Sequence, residues 1–136
     1  MKLVLTFDDG PDPIYTPQIL DILSREKVPA AFFLVGINAE NNIPLVKRIY
    51  NEGHEIGNHT FTHPNLALVG TSVTRVERTA TERLIDAVLN RRPSLRRPPS
   101  FGHAAATQED APVPVSLPQL LGPLPVRTAD APRDQA

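Results

Sequence analysis

Two short segments hold the side chains that could do chemistry. The first is Thr6-Phe7-Asp8-Asp9-Gly10-Pro11, and the second is His59-Thr60-Phe61-Thr62-His63-Pro64. Adjacent carboxylates at the end of a strand point in different directions, so one can bind a cation while the other stays free as a base. Alone, an Asp-Asp-Gly run is most often a turn. Two imidazoles four positions apart can converge on one ion if the backbone coils between them. With one carboxylate they form a His₂-Asp face that leaves positions open for water and substrate. A lone HxxxH pair is more often structural. The joint occurrence is far more specific, because both segments follow apolar runs in one alternating pattern.

That pattern must position them. Leu3, Val4, Leu5 and Phe7 form an apolar run ended by Asp9-Gly10-Pro11, which predicts a buried strand. Thr16 before Pro17 predicts an N-cap with proline at the first helical position, and Ile19, Leu20, Ile22 and Leu23 give a helical stripe. Ala30 to Val35 predicts a second strand, closed by Gly36. Pro44 to Glu52 predicts a helix with Leu45, Val46 and Ile49 inward and Gly53 as its stop. His54 to His59 is a third strand candidate. Ser72 to Asn90 predicts a helix with Val73, Val76, Ala80, Leu84, Ala87 and Val88 on one face. Strands alternating with helices imply parallel βαβ units, and continuous apolar strands agree, since parallel strands are buried on both faces. Chemistry in such folds sits in loops beyond the strand C-termini, where both segments fall.

From about residue 91 the text changes. Nine of the 15 prolines lie there, there is no strong strand run, and the only apolar cluster is Leu117 with Leu120 and Leu121. This predicts loop, one short helix near Leu117 to Leu121, and a poorly ordered tail. The expected division is 1–102 as the folded part and 103–136 as the tail.

A chain of 136 residues suits one domain. Its 14 basic and 15 acidic residues leave a net charge of −1, no footprint for nucleic acid or an anionic membrane. Without cysteine there is no thiol nucleophile, thiolate ligand or disulfide. The N-terminal apolar run is too short for a signal-peptide core and ends in aspartates. No apolar stretch is long enough to span a bilayer. The expectation is an unexported, cytoplasmic chain by default.

The two motifs together resemble the polysaccharide deacetylases of carbohydrate esterase family four, whose first motif reads TFDDGP and whose second reads H(S/T)xxHP. Val28 to Gly36 and Glu52 to His59 are similar to that family as well, and the resemblance covers residues 2 to 90. It implies a (β/α) barrel, of which this chain would supply a part of about four strands out of roughly seven. It implies Asp8 as general base, and Asp9, His59 and His63 as ligands of a divalent metal, usually zinc. The activity implied is hydrolysis of N-acetyl or O-acetyl groups on a polysaccharide such as chitin oligomers or peptidoglycan. A third family motif, RPPY, pairs an arginine with the base and supplies a backbone amide to the oxyanion. Arg97-Pro98-Pro99-Ser100 matches it with serine in place of tyrosine. A backbone amide survives that change; the ring does not, and Phe101 is a candidate to replace it. Without the resemblance, Arg97 reads equally well as part of a solvated basic loop with Arg91, Arg92 and Arg96.

The family's later Asp-Trp and Leu-x-Leu-His segments have no match here. The chain has no tryptophan, and no histidine follows His103, which lies in divergent, proline-rich text. The alternative reading is therefore a truncated remnant that binds metal without turnover, or one half of a split barrel. The tail resembles that of members fused to a membrane glycosyltransferase, which would make such an enzyme a fusion or partner.

Overall fold

The computed structural model describes residues 3–99. The expected tail at 103–136, the helix near Leu117 to Leu121, and Ser100, Phe101 and His103 lie outside the described residues. The elements run β1 (Leu5–Asp8), α1 (Tyr15–Glu26), β2 (Ala30–Leu34), α2 (Gly36–Asn41), α3 (Ile43–Asn51), β3 (Glu55–Asn58), α4 (Thr71–Leu89) and β4 (Leu95–Arg96). All strand pairs are parallel and the order is β1-β2-β3-β4. Each connection steps one strand onward and none reverses. This is the progression of a barrel, since a doubly wound sheet turns back at a switch point. The expected α/β part-barrel is thus the observed architecture, with four strands.

Strand pleat sorts the core into two. Ala30, Phe32, Leu34 and Ile56 pack with Leu20, Leu23, Val46, Ile49 and Ile85 of the helices. Ala31, Phe33 and Leu95 face the other way. Every residue of β2 is buried, as a strand flanked on both sides and both faces should be. β1 departs from the buried strand expected: Leu3 is 74% and Leu5 37% exposed. Among the described residues β1 pairs only with β2, so it is an edge.

Three helical expectations are corrected. Thr16 does not cap α1. Asp12 lies just ahead, and its Oδ1 accepts the N–H groups of Ile14 (2.8 Å) and Tyr15 (2.7 Å), so the helix starts earlier and Pro17 sits in its first turn. Ile22 leaves the stripe and is exposed. In α4 the buried residues are Thr74, Thr81 and Ile85, whereas Val73 and Val76 are 45% and 67% exposed. The N-terminal half of α4 meets a polar loop, as described below, whereas Ile85, Leu84 and Val88 further along pack on the hydrophobic core. Gly36 lies just beyond the end of β2, as expected, and also opens α2, while the residues read as loop at 95–96 form β4. α3 runs close to the expected span, and Gly53 ends it at φ 89°, a conformation glycine adopts without Cβ strain.

His54 is fully buried between α3 and β3. Its Nδ1 accepts the Ala30 N–H at 3.2 Å, which places the proton of the neutral ring on Nε2. Burial pushes its pKa below the ordinary 6.5, against a smaller opposing pull from Glu52. A lowered folded-state value means that the unfolded chain binds this proton more readily. The stabilisation is complete above 6.5 and is lost as pH falls through the folded-state value. The thermal midpoint should therefore drop on acidification below about pH 6.5, and His54→Asn, which keeps an acceptor for Ala30, should flatten that part of the curve. Superimposable pH profiles for the two proteins would show that His54 contributes nothing to it.

Candidate metal centre

Strand register assembles the site. The pairs Asp8↔Phe33, Phe33↔Gly57 and Gly57↔Leu95 put four residues in one layer. Two residues further along each strand, the chain leaves the sheet at Gly10, Val35, His59 and Arg97. Backbone bonds carry the pairing onward there: Val35 N–H to Gly10 O (3.0 Å), His59 N–H to Leu34 O (3.0 Å) and Arg97 N–H to Asn58 O (3.0 Å). Side chains at every second residue share a face. Thr6, Asp8, His59 and Arg97 therefore converge at the C-terminal rim of the face that carries Phe33.

Within this rim, Asp9 Oδ1 lies 3.2 Å from His59 Nε2 and 3.1 Å from His63 Nε2. The two imidazole rings stand edge to face at 5.0 Å. The three potential ligand atoms lie within 4.8 Å of one another. Ligands about 2.0–2.2 Å from a tetrahedral ion stand roughly 3.3–3.6 Å apart, so a small shift would admit one. Hydrogen bonding also suits the donors to an ion. His59 Nδ1 is 2.6 Å from the Arg97 carbonyl. A carbonyl only accepts, so Nδ1 carries a proton, and Nε2 is the nitrogen that faces Asp9. The side chain of His59 is 4% exposed, against 38% for His63 and 68% for Asp9. The trio is thus anchored at one corner and open to solvent at the other two.

Asp8 takes a separate direction. Its Oδ1 accepts a hydrogen bond from Arg97 Nη1 at 2.6 Å, and the same nitrogen donates to Thr6 Oγ1 at 3.0 Å. The Arg97 guanidinium lies 4.1 Å over the Phe33 ring, a cation–π contact. Arg97 is therefore drawn into the site instead of standing in a solvated basic loop. All five residues singled out in the sequence, Asp8, Asp9, His59, His63 and Arg97, meet at one rim.

The loops that carry them are unusual in backbone. Asp9 (φ 69°), Thr60 (φ 70°) and His63 (φ 59°) are all left-handed, each costing on the order of 1–3 kcal/mol. Other elements hold them there. Asn38 Nδ2 of α2 donates to the Asp9 carbonyl at 2.7 Å. The first two N–H groups of α2, from Gly36 and Ile37, donate to the carbonyls of Thr60 and Phe61, both at 2.9 Å. Asn58 accepts the Thr60 N–H at 2.8 Å through Oδ1 and donates to the Arg78 carbonyl at 2.9 Å through Nδ2. Glu77 of α4 accepts from Phe61 and Thr62. None of Asn38, Asn58 or Glu77 was predicted to contribute. No pattern of residue types marks Glu77, because its partners lie in a loop 15 and 16 positions away.

A part-barrel of parallel βα units thus carries at its C-terminal rim an Asp-His-His group that could hold a metal ion, beside a second aspartate clasped by arginine. The polysaccharide deacetylase family model matches residues 1–112, and the chain belongs to that family. It is 50% identical over 98 residues to a peptidoglycan-N-acetylglucosamine deacetylase of Bacillus cereus, covering 72% of this chain and 36% of that protein. It is 50% identical over 69 residues to a chitooligosaccharide deacetylase of Sinorhizobium fredii, covering 51% and 32%. Among solved structures, the peptidoglycan deacetylase PdaC of Bacillus subtilis superposes with a TM-score of 0.73 at 38% identity, covering 74% of this chain and 50% of that one. The chain thus spans about a third of the length of these curated relatives. Among the described residues, no helix is long and apolar enough to cross a membrane.

Packing against the loop yields a prediction. A Cβ on Gly36 would stand 2.2 Å from Phe61 Cδ2 and 2.7 Å from Thr81 Oγ1. Alanine has the better helix propensity, by about 0.8–1.0 kcal/mol, but the clash forces Phe61 out of place, and overpacking typically costs about 1–3 kcal/mol. Gly36→Ala should lower the midpoint of urea unfolding. A midpoint equal to or above the parent's would mean that Phe61 has room to move.

Proposed function

We propose that this chain is the metal-site portion of a metal-dependent deacetylase acting on an N-acetylated or O-acetylated polysaccharide. The observation that carries this reading is the placement of Asp9 Oδ1 within 3.2 Å of two histidine Nε2 atoms, beside an aspartate held by Arg97 at 2.6 Å. Asp9, His59 and His63 would hold a divalent ion, and zinc suits a set of two imidazoles and one carboxylate. When bound, such an ion supplies Lewis-acid polarisation of an acetyl carbonyl and lowers the pKa of water.

The protein's own groups account for the remaining steps. Asp8 would take the proton of the attacking water as general base. Arg97 holds one oxygen of that carboxylate, which aims the other. His59 is fixed in the tautomer that presents Nε2, and its burial keeps that corner of the site rigid. The exposure of Asp9 and His63 leaves room for a saccharide chain to lie across the rim. None of the residues gathered at this rim is assigned to deliver a proton to the departing amine. This favours slow turnover by the 136-residue chain itself, the alternative being a metal-binding remnant without turnover. The names of its relatives support an acetylated amino-sugar polymer as substrate. The glycosyltransferase partner suggested by the tail rests on residues outside those described.

Zinc should bind in calorimetry, and Asp9→Ala or His59→Ala should abolish binding. Zinc at about 100 times its dissociation constant should stabilise the fold by about 2.7 kcal/mol, and a chelator should reverse this. Asp8→Asn should keep zinc affinity while losing any acetate release from N-acetylglucosamine oligomers. Without a general acid, that release should be slower by roughly 10²–10⁴-fold than in a protein that supplies one. No zinc binding by the parent chain, or equal binding by Asp9→Ala and His59→Ala, would remove the metal reading.

A further inference from the structure

We infer that Glu77 is a positioning residue that shapes the His59–His63 loop before any ion arrives. The inference builds on the metal reading above, but it concerns a helix residue that the family's motifs do not include. Glu77 Oε2 accepts the N–H of Phe61 at 2.8 Å and of Thr62 at 2.7 Å, and Oε1 accepts the Thr62 hydroxyl at 2.8 Å. One carboxylate thus binds three donors, all lying between the two histidines.

The effect of these bonds follows from where the loop turns. Thr60 and His63 are left-handed on either side of the Phe61–Thr62 pair. A loop with two such turns points its amides inward, and they need an acceptor if the turn is to persist. A carboxylate is the strongest acceptor a side chain offers. On the opposite side, the Thr60 and Phe61 carbonyls receive the N–H groups of Gly36 and Ile37 at the start of α2. The peptide units between the histidines are therefore gripped from both sides, donors by α4 and acceptors by α2. His59 has its own fixture in the Arg97 carbonyl, whereas the exposed His63 depends on the shape of this loop to stand 3.1 Å from Asp9. Glu77 touches neither histidine and acts through the backbone that carries the second one.

The role also accounts for the inward face of α4. In its first half the helix buries Thr74 and turns Val73 and Val76 outward, and only further along does Ile85 join the hydrophobic core. The orientation makes sense if the helix is turned to bring Glu77 over the loop.

Three measurements test it. In the metal-free parent, the Phe61 and Thr62 amides should exchange slowly with solvent deuterium, and in Glu77→Ala they should exchange rapidly while amides of β2 keep their protection. Zinc affinity by calorimetry should fall roughly 10–100-fold in Glu77→Ala, the range usual for groups that support a metal ligand. Glu77→Gln, which keeps an acceptor oxygen, should recover most of it. Fast exchange of Phe61 and Thr62 in the parent would overturn the inference without any variant being needed, as would unchanged exchange and affinity in Glu77→Ala. If Glu77→Ala fails to fold, Thr62→Val, which removes one of the three donors, should lower the affinity while Glu77→Gln stays near the parent, and parent-like affinity in Thr62→Val overturns it. Should the parent bind no zinc, the metal reading fails by itself, and the exchange comparison still decides whether Glu77 shapes the loop.

Discussion

The rim depends on Arg97 more than on any other residue. Its backbone N–H continues the sheet by donating to the Asn58 carbonyl, its own carbonyl accepts a hydrogen bond from His59 Nδ1, and its guanidinium joins Asp8 and Thr6 across the sheet above Phe33. Asp8 and Arg97 are 89 positions apart in sequence, so their contact exists only if every intervening βα unit is wound correctly. Its contribution to stability is small. The pair is about one-third exposed, and such pairs gain little against screening and lost side-chain freedom. What the contact supplies is position, because one residue sets both the carboxylate's direction and the histidine's tautomer.

The sheet beneath tolerates no other residue at one point. A Cβ on Gly57 would stand 2.5 Å from Phe33 Cδ1. The Phe33 ring fills that space, and the guanidinium lies on the ring. The lack of a side chain in the middle of β3 is thus linked, through one aromatic ring, to the orientation of the candidate base on β1. Neither Gly57 nor Phe33 carries chemistry. Both act by leaving or filling volume, which close-packed interiors transmit directly.

The parts of this architecture that were legible in the sequence are those written in residue type and period. Ala30 to Leu34 reads as a buried strand because every residue in it is apolar or small. The five site residues were legible because aspartate pairs, spaced histidines and an arginine before prolines are rare together. Less legible was whatever depends on a partner distant in sequence. α2, with the sequence Gly-Ile-Asn-Ala-Glu-Asn, has no stripe to detect and exists where loop carbonyls receive its N–H groups. β4 is two residues long, too short for any period, and pairs with β3 through Gly57 and Asn58. Val73 and Val76 mislead because hydropathy assumes an apolar neighbour, and the neighbour of α4 at that level is a polar loop. Asn38, Asn58 and Glu77 are ordinary polar residues whose partners are mostly backbone groups, and sequence patterns carry no record of those.

Strain is distributed unevenly among the three candidate ligands, and the distribution has a logic. His59 leaves a strand with regular backbone and is buried, whereas Asp9 and His63 are left-handed and exposed. A site with all three on strands would be rigid but closed, since strand residues pack against neighbours on both sides. Placing two on turns opens the rim to a ligand at a cost in backbone energy. That cost is offset locally: Asn38 holds the carbonyl of Asp9, and Glu77 and α2 hold the peptides ahead of His63. Hydrogen bonds to a charged acceptor such as Glu77 contribute about 1.5–3 kcal/mol each and neutral ones such as Asn38 to Asp9 about 0.5–1.5 kcal/mol, against about 1–3 kcal/mol for one left-handed residue. The supports and the strain are therefore comparable, and the open geometry can persist without drawing on the binding energy of an ion. An ion that meets ligands held this near to one another would have little reorganisation left to drive.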